Sequence, residues 1–170
     1  MSPHGDIIAH YFIRRNYLRR IFIQTAFGWK DYHLHEFILQ SYLKPLHILC
    51  MEDDYASMNK PSAFEWDKLP VAHLKVGSEF TYLYDFGDGW EVNARVADII
   101  EDYDRPCPSC TLCEGAAPPE DVGGVGGYLE FLDAYQNPDH PEHQAMVDWV
   151  GYWESEAPEL RYMNARLDHN

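Results

Sequence analysis

The clearest alternation in the chain sets Phe80, Tyr82, Tyr84 and Phe86 against Thr81, Leu83 and Asp85, and it resumes after a Gly-rich corner at Trp90, Val92, Ala94 and Val96. Period two is the spacing of side chains on one face of a strand, so this stretch predicts a β-hairpin over 79–86 and 90–98. Asp88-Gly89, whose members both tolerate positive φ, is the expected tight turn. His33-Leu34-His35-Glu36-Phe37-Ile38-Leu39 predicts another strand, and Leu46-His47-Ile48-Leu49-Cys50 a third. Ile7, Ile8, Tyr11, Phe12, Leu18, Ile21, Phe22 and Ala26 follow a helical rhythm, broken at Arg14-Arg15-Asn16. They predict one or two amphipathic helices over 7–27, stopped by Gly28. Tyr128, Phe131, Leu132 and Tyr135 mark a further helix. Met146, Trp149, Val150 and Trp153 mark the buried face of another, with Pro141 in its first turn, Glu142 near its positive end and Gly151 after it. Residues from Glu52 to about Pro70 have no period and read as a long surface loop, Val71 to Val76 as a strand, and the tail from Pro158 as a short segment packed back onto the body.

With 170 residues, 46% of them hydrophobic and 15% aromatic, the chain can bury one core and is too short for two ordinary domains, so residues 1–170 are expected to form a single domain. No apolar run approaches the roughly 20 residues of a membrane span, and no compact apolar leader opens the chain, which predicts a cytoplasmic protein without membrane contact. The four cysteines cluster three to one, a spacing that suits reduced thiols or metal ligands and not a secreted disulfide scaffold. The net charge of −15 is uneven: residues 1–30 carry five basic side chains against Asp6 alone, which leaves −19 on residues 31–170. So acidic a body repels a phosphate backbone. Nucleic acid could bind only through Arg14, Arg15, Arg19 and Arg20 or through a bound metal. The same arginines read more simply as a basic helix face lying against the acidic body, or as solvated side chains.

Candidate chemistry concentrates at the hairpin corner, where Asp85, Asp88 and Glu91 crowd within seven residues among large apolar side chains. Carboxylates this close can share a cation or raise one another's pKa; alternatively an Asp braces its own turn and the others are solvated. His33 and His35 share one face of their predicted strand, as two metal ligands would, or sit half-buried in ordinary hydrogen bonds. Cys107-Pro-Ser-Cys110-Thr-Leu-Cys113 places thiols three residues apart, where a turn would let them grip one ion. An iron–sulfur run would need a fourth cysteine where Ala117 stands, so zinc held by these three with Cys50 or a histidine is the metal this run suits. The Gly123–Gly127 stretch lacks the Lys-Ser/Thr of a phosphate loop and follows Glu120-Asp121, which argues against nucleotide binding and for close backbone packing against the hairpin. His140 and His143, with Asp139 and Glu142, have ligand chemistry but also the composition of a helix cap.

Gln24-Thr-Ala-Phe-Gly-Trp29, His33-Leu-His-Glu-Phe37, Tyr84-Asp-Phe-Gly-Asp-Gly-Trp-Glu91, Cys110, Pro118-Pro-Glu-Asp-Val-Gly-Gly124, Gly127-Tyr128, Phe131-Leu132 and Pro138-Asp-His-Pro-Glu-His143 through Trp149 and Gly151 together resemble the plasmid pRiA4b ORF-3-like family, found on plasmids and mobile elements. The resemblance covers about residues 21–165. It implies an α+β fold, a curved, largely antiparallel sheet packed against helices, and no established activity. No serine- or tyrosine-recombinase motif supports the resolvase label the family sometimes carries. The chain departs from the family pattern in its short Arg-rich start, in Val92 where a histidine usually follows Trp-Glu, and in Ala117 where a cysteine precedes Pro-Pro-Glu-Asp; Cys107 and Cys113 are additional. The leading expectation is a non-enzymatic accessory or interaction domain whose acidic-histidine cleft takes a protein partner or a structural ion. A metal-dependent hydrolase acting on phosphodiesters, with Asp85, Asp88, Glu91, Glu120 or Asp121 and the histidine pair around one or two divalent ions, is the alternative. DNA contact through the four arginines is the third reading. The first two require the corner carboxylates, the imidazoles and the Pro-Pro-Glu-Asp segment to meet in one pocket.

Overall fold

The computed structural model describes residues 8–12, 17–39, 45–50, 68–70, 74–100, 102–103, 108–153, 155–156 and 159–168. Its centre is a four-stranded antiparallel sheet in the order β4 (Leu46–Cys50), β3 (His35–Leu39), β6 (Glu79–Tyr84), β7 (Trp90–Arg95). The predicted hairpin is β6 and β7, paired from Glu79 with Arg95 to Tyr84 with Trp90. Two antiparallel pairs flank it: β1 (Ile8–Phe12) with β8 (Ser109–Glu114), and β2 (Tyr17–Arg19) with β5 (Lys68–Pro70). The helices among the described residues are α1 (Arg20–Phe27), α2 (Gly124–Gln136), α3 (His143–Val150) and α4 (Leu160–Asp168). The architecture is α+β with antiparallel pairing throughout the described strands.

Alternation decides which face of the sheet is covered. His35, Phe37 and Leu39 of β3 are buried and pair across the ladder with Tyr84, Tyr82 and Phe80 of β6, all buried too. Phe22 and Ile23 of α1 and Met163 and Leu167 of α4 close over this face. Gln24 reaches the same core and is fully buried; its amide Nε2 donates to the Tyr82 hydroxyl at 2.6 Å, which answers part of the cost of burying a polar group. α4 is fixed to β8 by one side chain: the Asn164 Oδ1 accepts from the Cys110 N–H at 2.8 Å and its Nδ2 donates to the Cys110 carbonyl at 3.0 Å. Among the described residues no helix is long and apolar enough to cross a membrane.

Several elements differ from the sequence expectation. The helical rhythm over 7–27 holds only for α1, because Ile8–Phe12 and Tyr17–Arg19 are strands paired with partners far along the chain. Long-range pairing outweighs a local period when the residues are aromatic and β-branched enough to serve either element. The stop at Gly28 is as expected: its φ is 64°, and Gly28 N–H to Thr25 O with Trp29 N–H to Gln24 O forms the two-bond C-terminal cap that favours glycine. The early histidine strand begins at His35, so His33 lies in the bend before it. The hairpin loop spans five residues, 85–89, with positive φ at Asp85 and Gly89, in place of a tight Asp88-Gly89 turn. Lys68–Pro70 is a strand, Leu74–Val76 is not, and the expectations for Glu52–Asp67 and Val71–His73 fall outside the described residues. Helix α3 starts after Pro141 and Glu142, and its Trp149 is half exposed, so the face expected to be buried is only partly covered. The tail is a full helix, α4.

Candidate functional site

Three separate segments meet at the end of β6. Asp85 leaves the strand at φ 51°, a left-handed conformation that Asp tolerates better than most residues, and its Oδ1 accepts from the Gly87 N–H at 3.0 Å and the Asp88 N–H at 3.3 Å. That use of Oδ1 orients Oδ2 the other way. The Asp85 N–H donates to the Leu34 carbonyl at 3.0 Å, a single backbone bond that holds the residue beside His33 against the corner. Asp88 turns to the third segment, its Oδ2 accepting from the Gly123 N–H at 3.0 Å. Gly124 lies so close that a Cβ there would stand 2.6 Å from the Asp88 carbonyl oxygen. The glycine-rich stretch thus packs backbone to backbone on the hairpin, as its composition suggested, and it carries Asp121 to the same corner.

The segment before it has few donors of its own, because prolines lack an N–H. Two indoles hold it instead: Trp153 Nε1–H donates to the Ala117 carbonyl at 2.8 Å and Trp29 Nε1–H to the Pro118 carbonyl at 3.2 Å. Trp29 is itself stacked between Phe27 and Tyr84, with ring centroids 4.5 Å away on each side. Glu120 emerges from this scaffold into a clamp. Its Oε1 accepts from the Lys30 N–H at 2.6 Å and from the Tyr84 hydroxyl at 2.9 Å, and that hydroxyl is also 3.1 Å from Oε2.

Burial, then the hydrogen bond to Glu120 and the charge of that carboxylate, raise the Tyr84 phenol far above its ordinary pKa. Folded protein therefore keeps a proton that the unfolded chain releases near pH 10. Stability is whole below pH 10 and falls as the pH rises beyond it. Between pH 9 and 11 urea unfolding should show Tyr84→Phe losing about 1.4 kcal/mol less than the parent chain. Equal losses would show that the phenol ionises in the folded state.

His33 stands at the centre of the site. Its Nε2 is 3.2 Å from Asp121 Oδ1, 3.6 Å from Asp85 Oδ2 and 3.7 Å from Glu120 Oε2. The atom is buried and has no hydrogen bond. One donor atom from each of His33, Asp85 and Asp121 lies within 4.8 Å of the others. Donors sharing a tetrahedral zinc at about 2.0–2.2 Å stand about 3–4 Å from one another, so the 3.2 and 3.6 Å from His33 Nε2 to Asp121 and Asp85 suit one ion. An imidazole with carboxylates is a donor set for zinc or manganese. Beside the site a cleft of about 660 Å³ opens between the residues after α1, the Pro118-Pro119 segment and the end of α3.

The other sequence candidates fall elsewhere. Glu91 pairs with Leu83 and is exposed, while Trp90 on the opposite face pairs with Tyr84, so Glu91 points away from the corner. Asp88 braces the glycine segment. Glu120 borders the site but is held by Tyr84 and Lys30. His35 is buried in the core with its ring centroid 5.6 Å from that of Tyr82. Cys110 and Cys113 lie on strand β8, not in a turn, and neither forms a disulfide; a bulge in the β1–β8 ladder sets Cys110 opposite Tyr11 and Cys113 opposite Ala9, so both face the core. The buried Cys110 thiol donates to the Leu112 carbonyl. Among the described residues the group suited to one ion contains no cysteine. Cys107, Arg14 and Arg15 lie outside the described residues, and of Arg19 and Arg20 only the backbone is described, in β2 and at the start of α1. His143 Nδ1 contacts the Ala134 carbonyl and His140 Nδ1 accepts from the Glu142 N–H, both local structural roles. The residues that sequence reasoning passed over are Tyr84, Trp29 and Trp153 as supports. The Trp residues flanking a donor-poor Pro-Pro step were the available signal.

The order and spacing of these pieces match beyond this molecule. Residues 17–162 match the family described as plasmid pRiA4b ORF-3-like protein. The chain belongs to that family. Among relatives of this pRiA4b ORF-3-like protein is y4hQ of Sinorhizobium fredii (strain NBRC 101917 / NGR234), described as uncharacterized, 29% identical over 174 residues that cover 95% of this chain and 81% of the relative. Among solved structures, MM3350 from Methanosarcina mazei Go1, described as a protein of unknown function, superposes with a TM-score of 0.72 at 28% identity, covering 95% of this chain and 90% of the other. The α+β architecture described above is thus shared with that solved structure.

Proposed function

We propose that this pRiA4b ORF-3-like chain is a non-catalytic binding module whose acidic-histidine cleft is organised by one divalent cation on His33, Asp85 and Asp121. The observation that supports this reading best is His33 Nε2, buried without a hydrogen bond and faced by carboxylate oxygens from two other segments at 3.2 and 3.6 Å. A cation there would neutralise carboxylates that otherwise repel one another, and would lock the bend before β3 to the hairpin corner and the glycine segment. Zinc and manganese are the ions to test first.

Titration calorimetry of chelator-treated protein tests this. One equivalent of zinc or manganese is expected to bind, with affinity falling about a hundredfold in His33→Ala. No uptake, or uptake unchanged in that variant, overturns the reading. The second reading is a metal-dependent hydrolase. What favours it is the adjoining cleft of about 660 Å³, large enough to bring a substrate to water on the ion. Turnover of phosphodiester substrates that needs the metal and is lost in Asp85→Asn would replace the non-catalytic reading by this one.

A further inference from the structure

The cleft beside the cation site has a chemistry that the ion does not use. Its lining includes Trp29, Tyr32, Trp149, Tyr152 and Trp153. Tyr32 and Tyr152 are 71% and 88% exposed, large rings turned to solvent. Glu120, Asp121 and Glu156 stand among them. Tyr32 already faces a cation, with Lys30 Nζ 6.0 Å from its ring centroid, at the outer limit of a cation–π contact.

Charge selects the class of occupant. The cleft's four carboxylates, Asp31, Glu120, Asp121 and Glu156, outnumber its two cations, Lys30 and Arg166, on a chain that carries −15, so a cationic ligand is favoured over an anionic one. A wholly apolar ligand would strip water from the rim carboxylates and give nothing in return. A guanidinium meets both demands, because its plane stacks on Tyr and Trp rings while its N–H fork pairs with a carboxylate, and it is weakly hydrated. Exposed Tyr and Trp beside charge are the composition of protein-binding surfaces.

We infer that the cleft docks an arginine-bearing basic peptide segment of a protein partner, the guanidinium groups stacking on the exposed rings of Tyr32 and Tyr152 and pairing with Glu156. This deepens the binding-module reading and does not require the cation. Binding is tested by fluorescence anisotropy on the full chain, with a labelled heptapeptide alternating glycine and arginine as probe and the same peptide with citrulline for arginine as its neutral isostere. Saturable binding is expected below about 100 µM, with the citrulline peptide at least about tenfold weaker. Tyr152→Ala and Glu156→Gln, both at exposed positions outside the cation site, should each weaken binding about fivefold or more while zinc uptake is unchanged.

No saturation, equal binding of the citrulline peptide, or binding indifferent to both variants would overturn the inference, the last by revealing only diffuse attraction to an acidic chain. Spermidine binding as tightly as the arginine peptide would also overturn it, in favour of a small amine. Loss of zinc uptake with peptide binding intact would strike the cation reading alone.

Discussion

Gly124→Ala is expected to lower the stability of the protein by about 3 kcal/mol, the sum of holding a side chain at positive φ and of forcing one backbone away from another. The φ of Gly124 is 66°, and the added Cβ would stand 2.6 Å from the Asp88 carbonyl oxygen, which is main chain and cannot rotate aside. Relief requires the glycine segment to lift from the hairpin corner, which breaks the bond from the Gly123 N–H to Asp88 Oδ2 and carries Asp121 away from His33. Stability and cation affinity should therefore fall together. Gly126→Ala is the control, because nothing lies within 4 Å of its Cβ position and it sits inside α2. It should be neutral or stabilising by up to about 1 kcal/mol through helix propensity. Urea denaturation of the pair decides the matter, and equal midpoints would show that the glycine segment is not seated on the hairpin.

Asp85 separates structure from ligation, since its two oxygens have different tasks. Asp85→Ala removes the acceptor of the Gly87 and Asp88 N–H groups and leaves a residue poorly suited to φ 51°, at an expected cost of about 2–3 kcal/mol. Asp85→Asn keeps an acceptor oxygen and a residue that tolerates that φ, so its stability should lie within about 1 kcal/mol of the parent. Both variants lose the charge at Oδ2, which faces His33 Nε2 at 3.6 Å, and both should bind the cation about a hundredfold more weakly. Calorimetric titration beside urea denaturation reads the two effects separately. An Asp85→Asn protein with unchanged cation affinity would remove Asp85 from the ligand set.

Much of this arrangement was legible from local pattern. The period-two run through Phe80, Tyr82 and Tyr84 gave the hairpin, because one face of that sheet is buried and the other is not. Asp85, His33, Glu120 and Asp121 were candidates on residue type alone, and the structure brings all four to one corner. Their selection from a longer set was not legible. His33 and not His35 reaches the carboxylates because the strand begins at His35, which is buried opposite Tyr84, and His33 lies in the bend before it. Cys110 and Cys113 read as turn thiols until β8 pairs with β1, about a hundred residues earlier in the chain, and no local spacing reports such a pairing. The same pairing turned the first apolar stretch from helix to strand. Glu120 would have read as a free ligand, since the Lys30 N–H and the Tyr84 hydroxyl that occupy it come from segments 90 and 36 residues away in sequence.

Anomalous diffraction from crystals soaked in manganese asks the central question of where a cation sits. A single peak is predicted among His33 Nε2, Asp85 Oδ2 and Asp121 Oδ1, within about 2.0–2.4 Å of each donor. No peak there, or one at the cysteines of β8, would contradict the account.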